Sequence, residues 1–340
     1  MSVMAERVPS GLNHVWLFIT DKCNLRCGYC FFKYKTGRKV MPFEVFRAAL
    51  AMAVQKGEFI ISGGEPLAAW DALKKMVAAI QRRYPKRYVS VQTNMTLMDD
   101  RRAAFMARRG INIEAGIDGD EQTVLANRPG SGVRYVDILR GLKSVRRTRK
   151  AFTATMTVHP SGVCRLEENV KLLASFGLRS VEVHPAFLED WDKRSAKVFL
   201  EQYRRITAWE IRQGCIGVIG RGYSCPAGGA WDMVVLPDGR VLPSWVFLSF
   251  PEKVRERFYV MDLKGGFLRE LPSGKRYFSA LERFLGERDG MPSYRAVSNF
   301  NAGLAVRSSG GGRYSARVGA YTGLCESIEA VDRRFMGRIA

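Results

Sequence analysis

The sequence predicts an α/β protein built on a parallel sheet, and three observations carry that prediction. Six short apolar runs between Val15 and His184 are separated by longer amphipathic stretches. Each intervening stretch is long enough to carry the chain back across a sheet, which parallel strands require. Polar residues and glycines follow directly on the ends of the apolar runs, where sites lie in such folds. A chain of 340 residues is long enough for one large domain or for a domain with an extension.

The elements follow in order. Val15–Ile19 reads as the first strand. Met41-Pro42 opens a helix running to about Lys56, proline being suited to a first helical turn, and Gly57 ends it. Glu58–Ser62 is a buried strand, Leu67–Arg83 a helix, Arg87–Gln92 a strand and Asp99–Arg109 a helix stopped by Gly110. Ile111–Ile117 is the next strand, the loop Asn127–Gly132 follows, and a helix covers Tyr135–Arg147. Strand Phe152–Val158, helix Leu166–Phe176 and strand Ser180–His184 complete the alternation. A long helix spans Ser195–Gln213. Trp231–Leu236 and Arg240–Trp245 are two strands around Pro237-Asp238-Gly239, a hairpin turn. Beyond residue 250 the pattern is less legible: Phe247–Phe250 and Arg257–Val260 are apolar enough to pack, and Ser308–Arg313 reads as a glycine-rich mobile loop.

Composition bounds the class. Hydrophobic residues at 46% and charged residues at 26% fit a globular protein. No apolar run reaches the length of a membrane span, and the N-terminus lacks the apolar core of a signal peptide. Seven cysteines, three of them crowded together, read as reduced thiols of a cytoplasmic protein rather than a disulfide framework. The net charge of +21 could attract RNA or an acidic peptide or partner. Most residues of its clusters, at 82–87, 101–102, 108–109 and 146–150, fall on predicted helices. Solvated helix faces are the plainer reading beside that one, and aromatics do not interleave with the clusters as on a nucleic-acid platform.

The chemistry centres on Cys23, Cys27 and Cys30, spaced C-x-x-x-C-x-x-C just after the first strand. Thiolates this close repel one another unless a metal takes up their charge, and they suit iron–sulfur clusters or zinc. Structural zinc usually takes four protein ligands, and no fourth Cys or His lies nearby in the sequence. A four-iron cubane held by three cysteines keeps one iron free for a small molecule. This spacing, with Tyr29 before the third cysteine, resembles the signature of the radical S-adenosylmethionine (SAM) enzymes, and Gly63-Gly64-Glu65-Pro66 is similar to the GGEP motif of that family.

The resemblance covers about residues 14–190 and implies a partial (β/α)6 TIM-like barrel. It implies a [4Fe–4S] cluster on the three cysteines, with SAM chelated by the open iron and cleaved to a 5′-deoxyadenosyl radical that abstracts hydrogen from a substrate. Tyr29 is then expected on the adenine side of SAM, with Gly63, Gly64 and Glu65 at its amino group. Gln92-Thr93-Asn94 resembles the TNG segment of the peptide-modifying branch, with Met95 in place of glycine. Gly116-Ile117-Asp118-Gly119 resembles its S-x-DG segment, with Gly116 in place of serine. Asn94, Asp118 and Arg128 become ribose or carboxylate candidates, each with a plain turn or surface salt-bridge reading beside it. Asp118 and His184 are the candidates for a catalytic role.

The C-terminal third resembles the SPASM/twitch extension of such enzymes, giving an expected division into a barrel at 1–190 and an extension at 191–340. The hairpin is present, but Ser244 stands where that pattern has cysteine and the dense cysteine run is absent. Cys215, Cys225 and Cys325 are then either buried thiols left after loss of auxiliary clusters, which the four-ligand norm favours, or the ligands of one incomplete cluster. The implied partners are a low-potential electron donor such as flavodoxin or ferredoxin, and a peptide or protein substrate of acidic character. A small metabolite, RNA, and a non-catalytic iron–sulfur protein are the alternatives.

Overall fold

The computed structural model describes residues 12–53, 58–130, 134–149, 152–178, 180–213, 231–266, 269–286, 301–302, 304–309 and 313–336. They belong to two compact units. The first comprises residues 1–24, 31–92 and 223–310, the second residues 25–30, 93–222 and 311–340.

In the first unit, β1 (Leu12–Thr20) lies inside the sheet and pairs in parallel on both sides. Its run of β-branched and aromatic residues suits a strand covered on both faces, and Val15, Leu17, Phe18 and Ile19 are fully buried. Next to it is β2 (Glu58–Gly63), with Val15 opposite Phe59 and Leu17 opposite Ile61, and then β3 (Val89–Thr93). Helix α1 (Phe43–Met52) starts directly after Pro42 and buries Val45, Phe46, Ala49 and Met52. Helix α2 (Trp70–Arg83) follows a 3-10 turn at Pro66–Ala69 and ends on Arg82 and Arg83, whose charges complement its dipole.

The predicted hairpin is present, and it is sewn onto the same sheet. Its first strand, β7 in chain order (Trp231–Val235), runs parallel to β1 with Trp16 opposite Val234, and β8 (Arg240–Leu242) turns back antiparallel to it. Gly239 supplies the positive φ of +89° that the turn needs. The second strand stops at Leu242 rather than Trp245. Pro243 has no amide to donate, and the Ser244 hydroxyl caps a 3-10 turn at Trp245–Ser249. Two-residue strands β9 (Met261–Asp262) and β10 (Arg269–Glu270) continue the sheet outward. A helix at Pro272–Gly286, which the sequence reading left unassigned, follows them.

In the second unit, β4 (Asn112–Gly116), β5 (Thr153–Val158) and β6 (Ser180–Pro185) form a parallel set. Helices α3 (Asp100–Arg108), α5 (Tyr135–Arg147), α6 (Leu166–Ser175) and α7 (Lys193–Gln213) appear where periodicity placed them. A short helix, α4 (Glu121–Asn127), occupies a stretch to which the sequence assigns no element; Asp120 caps it by accepting from the Thr123 amide. The C-terminal helix Arg313–Met336, also unassigned from sequence, packs on α7 and β6, where Tyr203 donates to Asp332 at 2.9 Å. Of the glycine-rich stretch read as mobile, Ser308 and Ser309 end a helical segment and 310–312 lie outside the described residues. Among the described residues no helix is long and apolar enough to cross a membrane.

Met95, where the resemblance calls for glycine, keeps the glycine-like backbone at φ +66° with its side chain fully buried. Two effects oppose here: a left-handed L-residue costs about 1–2 kcal/mol, whereas deleting a buried methionine side chain costs about 2–5 kcal/mol. Burial wins, so Met95→Gly is expected to destabilise the protein in denaturant melts rather than relieve strain. The α4 cap gives a pH-dependent case. Burial opposes ionisation of Asp120, but the Thr123 hydroxyl and amide and the Arg165 guanidinium outweigh it and hold the carboxyl below its ordinary 3.8. Its stabilisation is therefore present above the unfolded-state value and lost as pH falls through the lower folded-state value. Asp120→Ala should cost about 1 kcal/mol at neutral pH, and the gap to wild type should close in acid melts below that range.

Candidate active site

The approach to the cysteines is fixed within the first unit. At the end of β2, the Gly64 amide donates to Thr20 O and the Glu65 amide to Lys22 O, both at 2.7 Å. This contact is why glycines are needed. A Cβ on Gly63 would lie 2.2 Å from Thr20 O, and one on Gly64 2.1 Å from Lys22 O. Glu65 is fully buried and caps the following turn by accepting from the Leu67 amide at 2.9 Å. Asp21, buried between Thr20 and Lys22, accepts from the amides of Thr36 and Lys39 at 3.0 and 2.6 Å and from the Thr36 hydroxyl. It thereby closes the segment that follows the third cysteine back onto the end of β1. Phe18 adds edge-on contacts to Phe31 and Phe32, with ring centroids 6.2 and 5.2 Å away. Sequence reasoning passed over Asp21; its position directly before a cysteine loop was the signal.

Within the second unit, the loop residues 25–30 are held by a different set of groups. The Arg26 amide donates to Pro129 O at 2.6 Å and the Gly28 amide to Asn127 O at 3.1 Å. Between those two carbonyls, the Arg128 side chain folds back onto Asp118, with Nε at 2.9 Å from Oδ2 and Nη2 at 2.7 Å from Oδ1. The Tyr29 hydroxyl donates to Asp118 Oδ2, and the Thr157 amide to Oδ1 at 3.1 Å. The guanidinium also stands over the Tyr29 ring, 5.5 Å from its centroid. Asp118 is 1% exposed and Arg128 9%. A buried pair of this kind persists only when it is fully hydrogen-bonded, and the fork geometry satisfies both oxygens. Burial, with the Asp118 carboxylate nearby, pushes the Tyr29 phenol well above its ordinary value despite the opposing Arg128 charge. Burial would lower Arg128, but Asp118 holds it firmly charged.

Tyr29, Asp118 and Arg128, singled out separately in the sequence, are thus brought together. Asn94, just past β3, accepts from the Thr96 amide and hydroxyl at 3.1 and 2.7 Å in a local turn. Gly119, at φ +131°, lies against Asn169, whose Oδ1 accepts from the Asp120 amide at 3.0 Å. His184 is on β6, with Nε2 3.7 Å from Glu182 and its side chain 27% exposed.

His184 belongs to a larger pattern that sequence reasoning missed. Residues two apart on a strand share a face. In register across β4, β5 and β6, Gly116 lies opposite Thr155 and Thr155 opposite Glu182, while Thr157 lies opposite His184 and Glu114 opposite Thr153. One face of this set therefore carries Glu114, Thr155, Thr157, Glu182 and His184, and the other carries buried Ala115, Ala154, Met156, Val181 and Val183. The alternation in Thr-Ala-Thr-Met-Thr-Val and Val-Glu-Val-His was the available signal. Thr155 Oγ1 is buried on this face with no hydrogen-bond partner among the described residues.

The basic clusters lie largely exposed on the solvent side of the helices: Arg82, Arg83, Arg101, Arg108 and Arg146 are exposed, and Arg147 pairs with Asp100 at 2.8 Å. Cys325 is buried in the C-terminal helix, whereas Cys215 and Cys225 lie outside the described residues.

Residues 17–173 match the Radical SAM superfamily, and the chain carries a radical SAM domain. The serine-type anaerobic sulfatase-maturating enzyme of Klebsiella pneumoniae is 28% identical over 185 residues, covering 50% of this chain and 47% of that enzyme. The GTP 3′,8-cyclase of Mycobacterium marinum is 31% identical over 151 residues, covering 42% and 41%. The aligned stretch thus spans about half the length of these curated relatives. Among solved structures, anSMEcpe with bound AdoMet superposes with a TM-score of 0.59 at 17% identity, covering 82% of this chain and 98% of that one. Streptococcus suis SuiB bound to its precursor peptide SuiA gives 0.56 at 16% identity, covering 72% and 62%. The fold is that of the radical SAM TIM-like barrel enzymes, with the parallel sheet open.

Members of this superfamily use a [4Fe–4S] cluster and SAM, and the donor set here fits them. Cys23, Cys27 and Cys30 are all half-buried on one short loop, and none is tied up in a disulfide. Among the described residues no three His, Cys, Asp or Glu side chains converge as they would on a single metal ion. A cubane makes no such demand, because each thiolate takes a different iron. A stability test separates the two kinds of glycine at the loop. Gly64→Ala forces a Cβ against Lys22 O and should cost about 1–3 kcal/mol. Gly28→Ala meets nothing within 4 Å and should stay within about 0.5 kcal/mol of wild type, both read by denaturation of the cluster-free chain.

Proposed function

We propose that this chain is a radical SAM enzyme that modifies a peptide or protein. The observation that carries the reading is the three-thiol loop of a radical SAM domain, with no fourth cysteine or histidine near it in the sequence. Cys23, Cys27 and Cys30 would hold the cluster, and Gly63, Gly64 and Glu65 would accept from the SAM amino group at the end of β2. When bound, the two cofactors supply a 5′-deoxyadenosyl radical, using an electron from an external low-potential donor such as flavodoxin or ferredoxin. Asn94, which shapes the turn after β3, would be a candidate for the ribose or carboxylate of SAM. The polar face of β4–β6, with Thr155, Glu182 and His184 on it, would orient the substrate. Residues 1–190 would carry the cofactors, and residues 191–340 would scaffold the substrate.

The peptide reading is supported by relatives of two kinds, the sulfatase-maturating enzymes and SuiB bound to its precursor peptide. It is supported further by the reach of the structural likeness, which covers 82% of this chain and so runs well past the family domain. Ser244, spent on capping a 3-10 turn, favours a single cluster over an auxiliary one.

Anaerobic reconstitution should give about four irons and four sulfides per chain, with absorbance characteristic of a cubane. Dithionite and SAM should then yield 5′-deoxyadenosine, and Cys23→Ala, Cys27→Ala or Cys30→Ala should reduce that yield to background. Cleavage persisting in any of these variants would remove the assignment. Deuterium passing from a labelled peptide into 5′-deoxyadenosine supports the peptide substrate; passage from a free nucleotide or amino acid instead moves the reading to a small molecule.

A further inference from the structure

We propose that Asn127-Arg128-Pro129, with Asp118 and Tyr29, is a clasp that positions the cysteine loop before SAM arrives, and that Gly116 exists to let it close. The inference rests on the proposed placement of the cluster on Cys23, Cys27 and Cys30.

The geometry is specific. The two carbonyls flanking Arg128 take the amides of Arg26 and Gly28, the residues on either side of Cys27. The Arg128 side chain then takes the remaining role, gripping Asp118 by two bonds while Asp118 takes the Tyr29 hydroxyl, one residue before Cys30. Loop positions 26, 28 and 29 are therefore tied to one three-residue segment and to the carboxylate it holds, which leaves Cys27 and Cys30 little freedom relative to each other. Asp118 oxygens are committed to Arg128, Tyr29 and the Thr157 amide. That occupancy assigns Asp118 and Arg128 to positioning the loop, not to direct contact with SAM.

Gly116 supplies an independent observation. A Cβ there would lie 2.8 Å from Arg128 Nη1. Any larger residue must push the guanidinium aside, so the small residue on β4 and the folded-back arginine are one design.

The test uses Gly116→Ser, Arg128→Gln and Tyr29→Phe. In the cluster-free chain, hydrogen–deuterium exchange at the Arg26 and Gly28 amides should quicken about tenfold in the first two variants, the equilibrium effect of losing one hydrogen bond to a charged group. After reconstitution, iron should leave to a chelator several-fold faster without SAM present. The midpoint potential separates a placed charge pair from a loop that has merely loosened. Arg128→Gln strands the Asp118 charge near the loop and should move the potential negative. Adding Asp118→Asn should return it towards wild type while amide protection stays lost. Tyr29→Phe, which removes one hydroxyl, keeps the test open should Gly116→Ser fail to fold. Unchanged exchange and iron retention, combined with SAM affinity weakened tenfold or more, would overturn the proposal in favour of direct SAM contact. A wild-type chain that takes up no cluster defeats the proposed function, yet the exchange result still decides the clasp.

Discussion

The pair of backbone hydrogen bonds from Gly64 and Glu65 to Thr20 and Lys22 is the constraint on which the candidate site depends. It holds the end of β2 against the chain that leads into Cys23, at a separation no side chain would permit. Asp21, lying between the two acceptors, is then directed at Thr36 and Lys39, which closes the far end of the same segment. The cysteine loop thus leaves and re-enters the first unit at fixed points, and the motif Gly-Gly-Glu-Pro has a structural reason that precedes any ligand.

The buried Asp118–Arg128 pair presents a different balance. Ion pairs removed from water often fail to repay desolvation, and breaking one by a single substitution is costly because the survivor is left charged and buried. Here the bidentate fork, the Tyr29 hydroxyl and the Thr157 amide complete the carboxylate's bonds. Such a pair contributes specificity of arrangement more than net stability. That suits a group whose role is to hold a neighbouring loop in one register.

Much of this was legible in the sequence, for identifiable reasons. Runs such as Val15–Ile19 and Phe59–Ile61 have one buried solution, and the crossover helices between strands carry strong periodicity. The hairpin turn at Asp238-Gly239 was equally plain. Boundaries failed where a single atom decided them: Pro243 ends a strand that hydrophobicity would extend, and the Asp120 carboxylate starts a helix too short to show a period. The site divides similarly. Cysteine spacing is a covalent property and survives in one dimension. The union of Tyr29, Asp118 and Arg128 is a matter of side-chain direction, and the polar face of β4–β6 needs the register of three strands before Glu114, Thr155 and Glu182 share a surface. The long C-terminal helix was hard to read because its buried side, with Val318, Leu324, Cys325 and Ile328, is short on large apolar residues and is supplemented by contacts such as Tyr321 to Phe187 and Asp332 to Tyr203 that only the fold reveals.

The outermost strand of the first unit, β10, has only two residues, Arg269 and Glu270, both charged and exposed. A sheet that ends so abruptly offers almost no unpaired ladder to a passing extended chain. Polymerisation by edge-to-edge joining is thereby discouraged, and a peptide cannot dock at this margin by simply adding itself as another strand.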